Sequence, residues 1–171
     1  EYDRSNAKFV TEYGFVGPCR KSSILKYLDG QPFDRNNRIW KLHNNRFDWD
    51  SVSACIRRHY TDPEGLDSDR YIFCGGLAQG TILEYSLESF RSKENCYGSL
   101  IWDYNDSWGE TGWSIMDYYT TRKISYYFVK RALAHRKLIM RETDGIIRVM
   151  GINDTPEPLD FSIEYGYVSL D

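Results

Sequence analysis

Apolar residues recur along the chain with two different periods, and these periods predict its secondary structure. Residues 7–12 and 97–102 are short runs rich in β-forming residues, each followed by polar or turn-forming residues, which predicts two strands. Between and after them lie segments bounded by capping or helix-breaking residues, and the longest and the last of these also have apolar residues at helical spacing. These segments predict helices at residues 22–28, 50–60 and 68–93, and a fourth helix capped by Thr120 or Thr121 with Ile124, Tyr127, Phe128, Arg131 and Ala132 on one face.

The pattern changes after His135 to one that is typical of strands. Residues 137–141 and 146–152 are predicted strands, and the hairpin signal Asp144-Gly145 joins them. Residues 32–49, by contrast, are polar and aromatic without a sustained period, which predicts a long loop of the kind that often carries function. A further half-buried strand is predicted from the alternating residues Phe161, Ile163, Tyr165 and Tyr167.

The order of these elements predicts an α/β first domain, residues 1–135, and an all-β second domain, residues 136–171. The strands and helices of the first domain fit two βα units of a barrel or of a doubly wound sheet. Two parallel strands cannot bury both of their faces, and three antiparallel strands form at most half of a sandwich. Because the chain also begins at Glu1 rather than at Met, we expect it to be a piece of a longer polypeptide.

Charge and composition exclude several classes of function. The net charge is -3, from 22 basic and 25 acidic residues, which gives no electrostatic reason to expect binding to nucleic acid or to a membrane. The sequence contains no glycine-rich phosphate-binding loop, so no nucleotide cofactor is predicted. It also shows no cluster of metal-ligating residues, so no metal is predicted. The four cysteines lack metal-ligand spacing; free thiols are expected, with one disulfide left open. The aromatic content of 16% suits either a core or flat platforms for sugar faces.

The candidate chemistry lies where the two strands of the first domain end. The first strand ends with Glu12, and the second ends with Trp102, which is followed by Asp103, Asn105 and Asp106. In a βα-barrel, catalytic groups lie at the C-terminal ends of the strands, which favours Glu12 over the other carboxylates. The alternative is that Glu12 caps the next helix or pairs with a basic side chain at the surface.

Two segments resemble one family of enzymes. Residues 9–15, Phe-Val-Thr-Glu-Tyr-Gly-Phe, resemble the nucleophile segment of glycoside hydrolase family 2, which in the β-mannosidase branch is close to Phe-x-Ser-Glu-Phe-Gly-Phe. Residues 98–108, Gly-Ser-Leu-Ile-Trp-Asp-Tyr-Asn-Asp-Ser-Trp, resemble the last barrel strand of that branch, Gly-x-Leu-x-Trp-x-x-Asn-Asp-x-Trp. The match continues through residues 113–118 and 123–127. The resemblance implies the C-terminal portion of a (β/α)8 TIM barrel, followed by strands of an immunoglobulin-like β-sandwich.

The resemblance also implies a retaining β-glycosidase that hydrolyses terminal β-linked sugars. Glu12 would be the carboxylate nucleophile that forms a covalent glycosyl-enzyme intermediate, with a second carboxyl group ~5 Å away as acid and base. In the family that second group lies on an earlier barrel strand, upstream of residue 1. The implied partners are therefore a glycoside substrate and the N-terminal part of the same polypeptide. We expect the chain alone to be inactive, and the compartment (periplasmic, secreted or lysosomal in many relatives) is not indicated by the sequence.

Five residues are candidates for contact with the sugar, each with a structural alternative. Trp102 matches the strand-end Trp that packs against the bound sugar in the family, where an indole can bury the pyranose C–H face. Asn105 and Asp106 could hydrogen-bond sugar hydroxyls, although residues of these types more often hold their own loop. Trp108 is a candidate for stacking at the rim of the site, and His43 lies in a loop resembling one near the active-site mouth, although a loop His is usually solvent-exposed.

The departures from the family pattern bear on the sugar. Asp103-Tyr104 stands where mannosidase-like members often carry Gln-Leu, and Trp108-Gly109 stands where they often carry Trp-Pro. With Glu110, Asp103 would make the mouth acidic, so that a glucuronate is the least attractive of the sugars handled by the family. Two other hypotheses remain open: a non-catalytic carbohydrate-binding module, which would need aromatic rings aligned on an exposed face, and a structural segment without activity of its own.

Overall fold

The computed structural model describes residues 2–45, 49–166 and 168–169 and is a mixed α/β structure. The chain divides between Ala134 and His135 into two compact units. Besides single 3-10 turns at Tyr2–Arg4 and Pro63–Gly65, the first unit contains, in order, β1 (Val10–Tyr13), α1 (Lys21–Leu28), α2 (Arg38–Leu42), α3 (Trp49–His59), α4 (Ser68–Arg91), β2 (Ser99–Ile101) and α5 (Ile124–Ala132). The second unit contains β3 (Arg136–Thr143) and β4 (Ile146–Asn153).

Strands β1 and β2 pair in parallel, although most of the first unit separates them in sequence. Val10 lies opposite Ser99, and Tyr13 lies opposite Ile101, with an irregularity in the register between the two pairs. The ladder extends past the last residue of β2, because the backbone N–H of Trp102 donates to the carbonyl oxygen of Tyr13 at 2.7 Å. Both strands therefore terminate at the same end of the sheet.

Helix α4 is the 24-residue centre of the first unit, and α5 packs closely against it. Its N-cap is Asp67, whose side chain accepts a hydrogen bond from the backbone N–H of Arg70 at 2.8 Å. The close approach of α5 depends on two glycines of α4. A Cβ atom on Gly76 would lie 2.7 Å from a side-chain carbon of Ile124, and one on Gly80 would lie 2.5 Å from the Phe128 ring. Glycines that weaken the helix locally thus allow a tight helix–helix contact.

Three details of the first unit correct the sequence-based expectations. The predicted loop at residues 32–49 contains the short helix α2, whose N-cap Asn37 accepts from the backbone N–H of Ile39 at 2.8 Å. Helix α5 has Lys123 as its N-cap without a side-chain cap bond, because Thr120 is in a left-handed turn (φ 60°) before the helix begins. The buried face of α5 matches the predicted one only in part: Ala132 is buried as expected, Ser125 and Val129 are also buried, and Tyr127 and Arg131 are exposed.

The second unit is an antiparallel hairpin. Thr143 pairs with Ile146, so the turn consists of Asp144 and Gly145, both with positive φ (55° and 76°). A two-residue hairpin turn of this kind has the twist that antiparallel strands require. The strand predicted from alternation at residues 161–167 is absent over residues 161–166, because no neighbouring strand pairs with this segment; Tyr167 lies outside the described residues.

Across the described residues, none of the helices has both the length and the apolar character that crossing a bilayer demands. All four cysteines are free thiols. Cys19 and Cys55 are buried, and Cys74 and Cys96 are half-buried.

Candidate functional site

Glu12 and Trp102 lie at the same end of the β1–β2 pair. Tyr13 and Ile101 lie opposite each other, and both pack against the helix-covered core that includes Leu83. Successive residues of a strand point to opposite faces. By this alternation we expect Glu12, which precedes Tyr13, and Trp102, which follows Ile101, to point away from this core. Both side chains are exposed, with 51% of Trp102 accessible, as a carboxylate and an indole that meet a ligand must be.

The backbones of the two strand ends approach each other closely at Gly14. A Cβ atom on Gly14 would lie 2.2 Å from the carbonyl oxygen of Trp102 and 3.0 Å from the Trp113 ring. Only glycine leaves room for that carbonyl, which gives a physical reason for the Glu-Tyr-Gly sequence of the motif. The peptide bond that follows this carbonyl, between Trp102 and Asp103, is cis.

His43 and Trp108 form part of a stack of three aromatic rings. The His43 ring lies 4.3 Å from the Tyr27 ring at an interplanar angle of 3°, and 4.4 Å from the Trp108 ring at 25°. The Nδ1 atom of His43 is also hydrogen-bonded to the carbonyl oxygen of Gly109, and its backbone carbonyl accepts from the N–H of Thr111 at 2.8 Å. His43 is half-buried in this stack rather than solvent-exposed, and Trp108 keeps 41% of its surface accessible.

Asn105 and Asp106 have structural partners. Asn105 Nδ2 donates to the carbonyl oxygen of Asp117 at 2.9 Å, a bond that closes the loop after β2. Asp106 is 2% exposed, and its Oδ2 lies 3.1 Å from the Nζ of Lys123. The two groups form an ion pair, but their geometry is not that of a hydrogen bond. The Asp106 carboxylate is thus buried and paired inside the unit, which disfavours its predicted contact with a sugar; that contact stays a prediction. Asn105 remains exposed, and its predicted sugar contact stays a prediction.

A buried polar network that the sequence did not reveal lies beneath the strand ends. The ammonium group of Lys123 is fully buried and donates to the carbonyl oxygens of Gly17 and Gly112, both at 3.3 Å. Gln79 is also fully buried, and its Nε2 donates to the carbonyl oxygen of Phe15 at 2.8 Å. The position of Gln79 on the apolar face of α4 was the available signal for its burial, since it lies four residues from the buried residue Leu83.

Two acidic residues of the loop after β2 are partly withdrawn from water. Burial raises the pKa of Glu110, opposed by a hydrogen bond from Trp108 that lowers it. Burial is also the main cause that raises the pKa of Asp103, and the nearby Asp106 carboxylate adds to the effect. The same region contains the buried thiol of Cys19, which donates to the carbonyl oxygen of Glu110 at 2.8 Å and whose pKa burial raises to about 12. Such a thiol is not a nucleophile at neutral pH.

The groups available at this end of the sheet are a carboxylate and an indole. Glu12 is an accessible oxygen nucleophile or base, Trp102 offers an apolar surface, and the two are held at one strand end by the parallel ladder. Within residues 2–45, 49–166 and 168–169, no group of three or more His, Cys, Asp or Glu side chains is arranged to hold a metal ion.

Comparison with known proteins gives relatives of one kind. The chain is 28% identical over 148 residues to β-mannosidase B of Thermothelomyces thermophilus, a match that covers 78% of this chain and 17% of the relative. It is 31% identical over 140 residues to β-mannosidase B of Aspergillus niger, covering 77% of this chain and 16% of the relative. No family model matches the chain. The chain thus spans about a sixth of the length of these curated relatives.

Solved structures agree with the sequence relatives. The β-D-mannosidase of Dictyoglomus thermophilum superposes with a TM-score of 0.83 and 34% identity, over 91% of this chain and 19% of that one. The exo-chitosanase of Amycolatopsis orientalis superposes with a TM-score of 0.63 at 16% identity, over 81% of this chain and 18% of that one, which shows a shared fold alone.

Proposed function

We propose, from the premise that this chain is a β-mannosidase-like member of glycoside hydrolase family 2, that it carries the nucleophile of a retaining β-glycosidase. In this proposal, residues 1–135 are the C-terminal part of a (β/α)8 barrel and residues 136–171 begin an immunoglobulin-like domain. Glu12 is the nucleophile and Trp102 forms the floor under the sugar at the cleavage site. The general acid and base is a carboxyl group of the preceding part of the same enzyme.

The proposed reaction is a double displacement. A carboxylate oxygen of Glu12 attacks the anomeric carbon, the bond from that carbon to the leaving oxygen breaks, and the second carboxyl group gives its proton to that oxygen. The resulting ester between Glu12 and the sugar is then attacked by water, which loses a proton to the second group, and the Glu12 carboxylate is released. The Trp102 indole covers the apolar face of the ring and keeps bulk water from the reacting carbon.

The observation that carries this proposal is the parallel register of β1 and β2. Glu12 and Trp102, which are 90 positions apart, lie at the same end of the sheet, where the Trp102 N–H donates to the Tyr13 carbonyl oxygen. This common position supports assigning both residues to one site. Retaining glycosidases need the nucleophile beside a surface that accepts the pyranose ring. A carbohydrate-binding module does not need a carboxylate at that position.

The relatives and the local charge guide the choice of substrate. Since the relatives are named β-mannosidases, an aryl β-mannoside is the first substrate to test. Asp103 and Glu110 lie in the loop after Trp102, and their carboxylates disfavour an anionic sugar. We therefore expect neutral β-glycosides to be cleaved in preference to β-glucuronides.

The decisive experiment is covalent labelling of the full-length enzyme with a 2-deoxy-2-fluoro-β-mannosyl fluoride. The fluorosugar should accumulate as an ester, and mass spectrometry of the digested protein should find it on Glu12. The variant Glu12→Gln should lose the label and at least ~10³-fold of kcat, because it retains shape but not the nucleophile. The matched control Glu94→Gln changes an exposed glutamate of the turn before β2 and should keep both.

Other outcomes contradict the proposal in separate ways. A label on a residue other than Glu12 removes its assignment as nucleophile but leaves a retaining glycosidase. Absence of hydrolysis of every aryl β-glycoside by the full-length protein removes the enzyme assignment itself. The isolated 171-residue chain should not hydrolyse these substrates, because general acid catalysis is worth about 10²–10⁴-fold; turnover by the chain alone would show that it contains its own proton donor.

A further inference from the structure

The segments that follow β1 and β2 are fastened to each other by one fully buried cation. Lys123 Nζ lies 3.3 Å from the carbonyl oxygen of Gly17, five residues after Glu12, and 3.3 Å from that of Gly112, ten residues after Trp102. Gly17 and Gly112 are also bonded to each other, by N–H to carbonyl hydrogen bonds of 3.0 and 3.3 Å in the two directions. We call this pair the strand-end bridge. The ammonium group therefore binds both halves of the bridge at once.

The charge of Lys123 is balanced by a carboxylate of the same loop. Asp106 Oδ2 lies 3.1 Å from Nζ, and both side chains are almost completely buried. Removing two charges from water costs several kcal/mol per ion, and such pairs can often be replaced by apolar residues of similar volume without loss of stability. Burial of this pair is thus poorly explained by stability alone. Its directional contacts with two backbone carbonyls instead define where the two segments lie relative to each other.

We propose that Lys123 is a positioning residue that fixes the Glu12 strand end against the Trp102 strand end through the strand-end bridge. The proposal rests on the proposed function, because it concerns the alignment of the nucleophile with the sugar-binding indole. Lys123 contacts the segments that follow the two strand ends. Its effect passes through Gly17 and Gly112, and an error of about 1 Å in such an alignment can cost ~10²-fold in rate.

The test is the variant Lys123→Met in the full-length enzyme, which keeps most of the side-chain volume and removes the ammonium group. We expect kcat for an aryl β-mannoside to fall about 10- to 100-fold, with KM changed by less than about threefold, since the exposed binding surface is unaltered. Lys130→Met is the matched control: it makes the same change at an exposed position of α5 and should leave kcat and KM unchanged. A purely structural role would lower the melting temperature but not the kcat of the folded enzyme.

A second variant keeps the test possible if Lys123→Met does not fold. Lys123→Met with Asp106→Leu leaves no unpaired buried charge, so it should fold and should show the same fall in kcat. In both variants, the backbone amides of Gly17 and Gly112 should exchange hydrogen at least about tenfold faster than in the wild type, because the two carbonyl oxygens of the bridge lose the Lys123 ammonium group that holds them together. Folded variants with wild-type kcat and exchange would overturn the proposal. Failure of both variants to fold would assign the pair to stability and overturn it as well.

Failure of the proposed function gives a different result. If the wild-type enzyme cleaves no glycoside but the variants show faster exchange at the strand-end bridge, the glycosidase assignment is lost and the catalytic meaning of the alignment with it. If the wild-type enzyme is active and Glu12 is labelled but the variants retain full kcat, only the role of Lys123 is wrong.

Discussion

Replacing Gly14 by alanine tests whether the two strand ends must touch. The added Cβ atom would lie 2.2 Å from the carbonyl oxygen of Trp102, so one backbone must move by about 0.8 Å or more to restore a tolerable contact. The neighbour is backbone rather than a flexible side chain, and the Trp113 ring at 3.0 Å closes another direction of escape. Overpacking of this kind costs about 1–3 kcal/mol, which for a chain of 171 residues lowers Tm by about 2–12 °C.

The same displacement should affect catalysis more than stability. Gly14 follows Glu12 by two residues, and the carbonyl that must move belongs to Trp102, so the nucleophile and the indole are forced apart. We expect kcat of the full-length enzyme on an aryl β-mannoside to fall by about 10²-fold. The assay is initial-rate hydrolysis together with a thermal melt, with Gly65→Ala as the control, because no atom lies within 4 Å of a Cβ placed there. A Gly14→Ala enzyme with the Tm and kcat of the control would refute the close approach.

Two further variants probe the interior and the acidic loop. Gln79→Leu leaves the carbonyl oxygen of Phe15 without its donor and should lower the free energy of unfolding by about 1–3 kcal/mol. Urea denaturation measures this loss, and an equal loss in the exposed control Gln31→Leu would contradict this reasoning. Burial raises the pKa of Glu110, so the folded chain holds this proton more tightly than the unfolded chain, and the contribution of Glu110 to stability falls as pH rises through its folded pKa. Glu110→Gln should therefore raise Tm relative to the wild type by more at pH 7 than at pH 4, and a gain that is equal or larger at pH 4 would show that the burial effect is not expressed.

The sequence by itself determined most of the local structure. Capping and helix-breaking residues located α1 and α3 to within a few residues. The helical spacing of apolar residues located α4 and α5 as closely, because an amphipathic period records which face is buried. Asp144-Gly145 fixed the hairpin turn of the second unit, since residues that tolerate positive φ are needed at both positions. The order of the two motifs also identified the family, and the comparisons confirm that resemblance.

Tertiary structure decided which side chains of the strand-end loops are accessible. Asp106 and Asn105 are neighbours of similar polarity in the motif, yet the first is buried against Lys123 and the second is exposed. His43 was expected at the surface and is stacked between two rings. These outcomes depend on contacts between segments far apart in sequence, and a local pattern carries no record of such partners.

The parallel register of β1 and β2 also depends on contacts between segments that are far apart in sequence. Two short β-forming runs give no information on which residue lies opposite which, and a shift by one residue would send Glu12 or Trp102 to the other face. The long connection through α4, the missing side chain at Gly14 and the ladder bond from Trp102 to Tyr13 select one register. The sequence thus supplied the carboxylate and the indole, and packing across the whole first unit brought them to one end of the sheet.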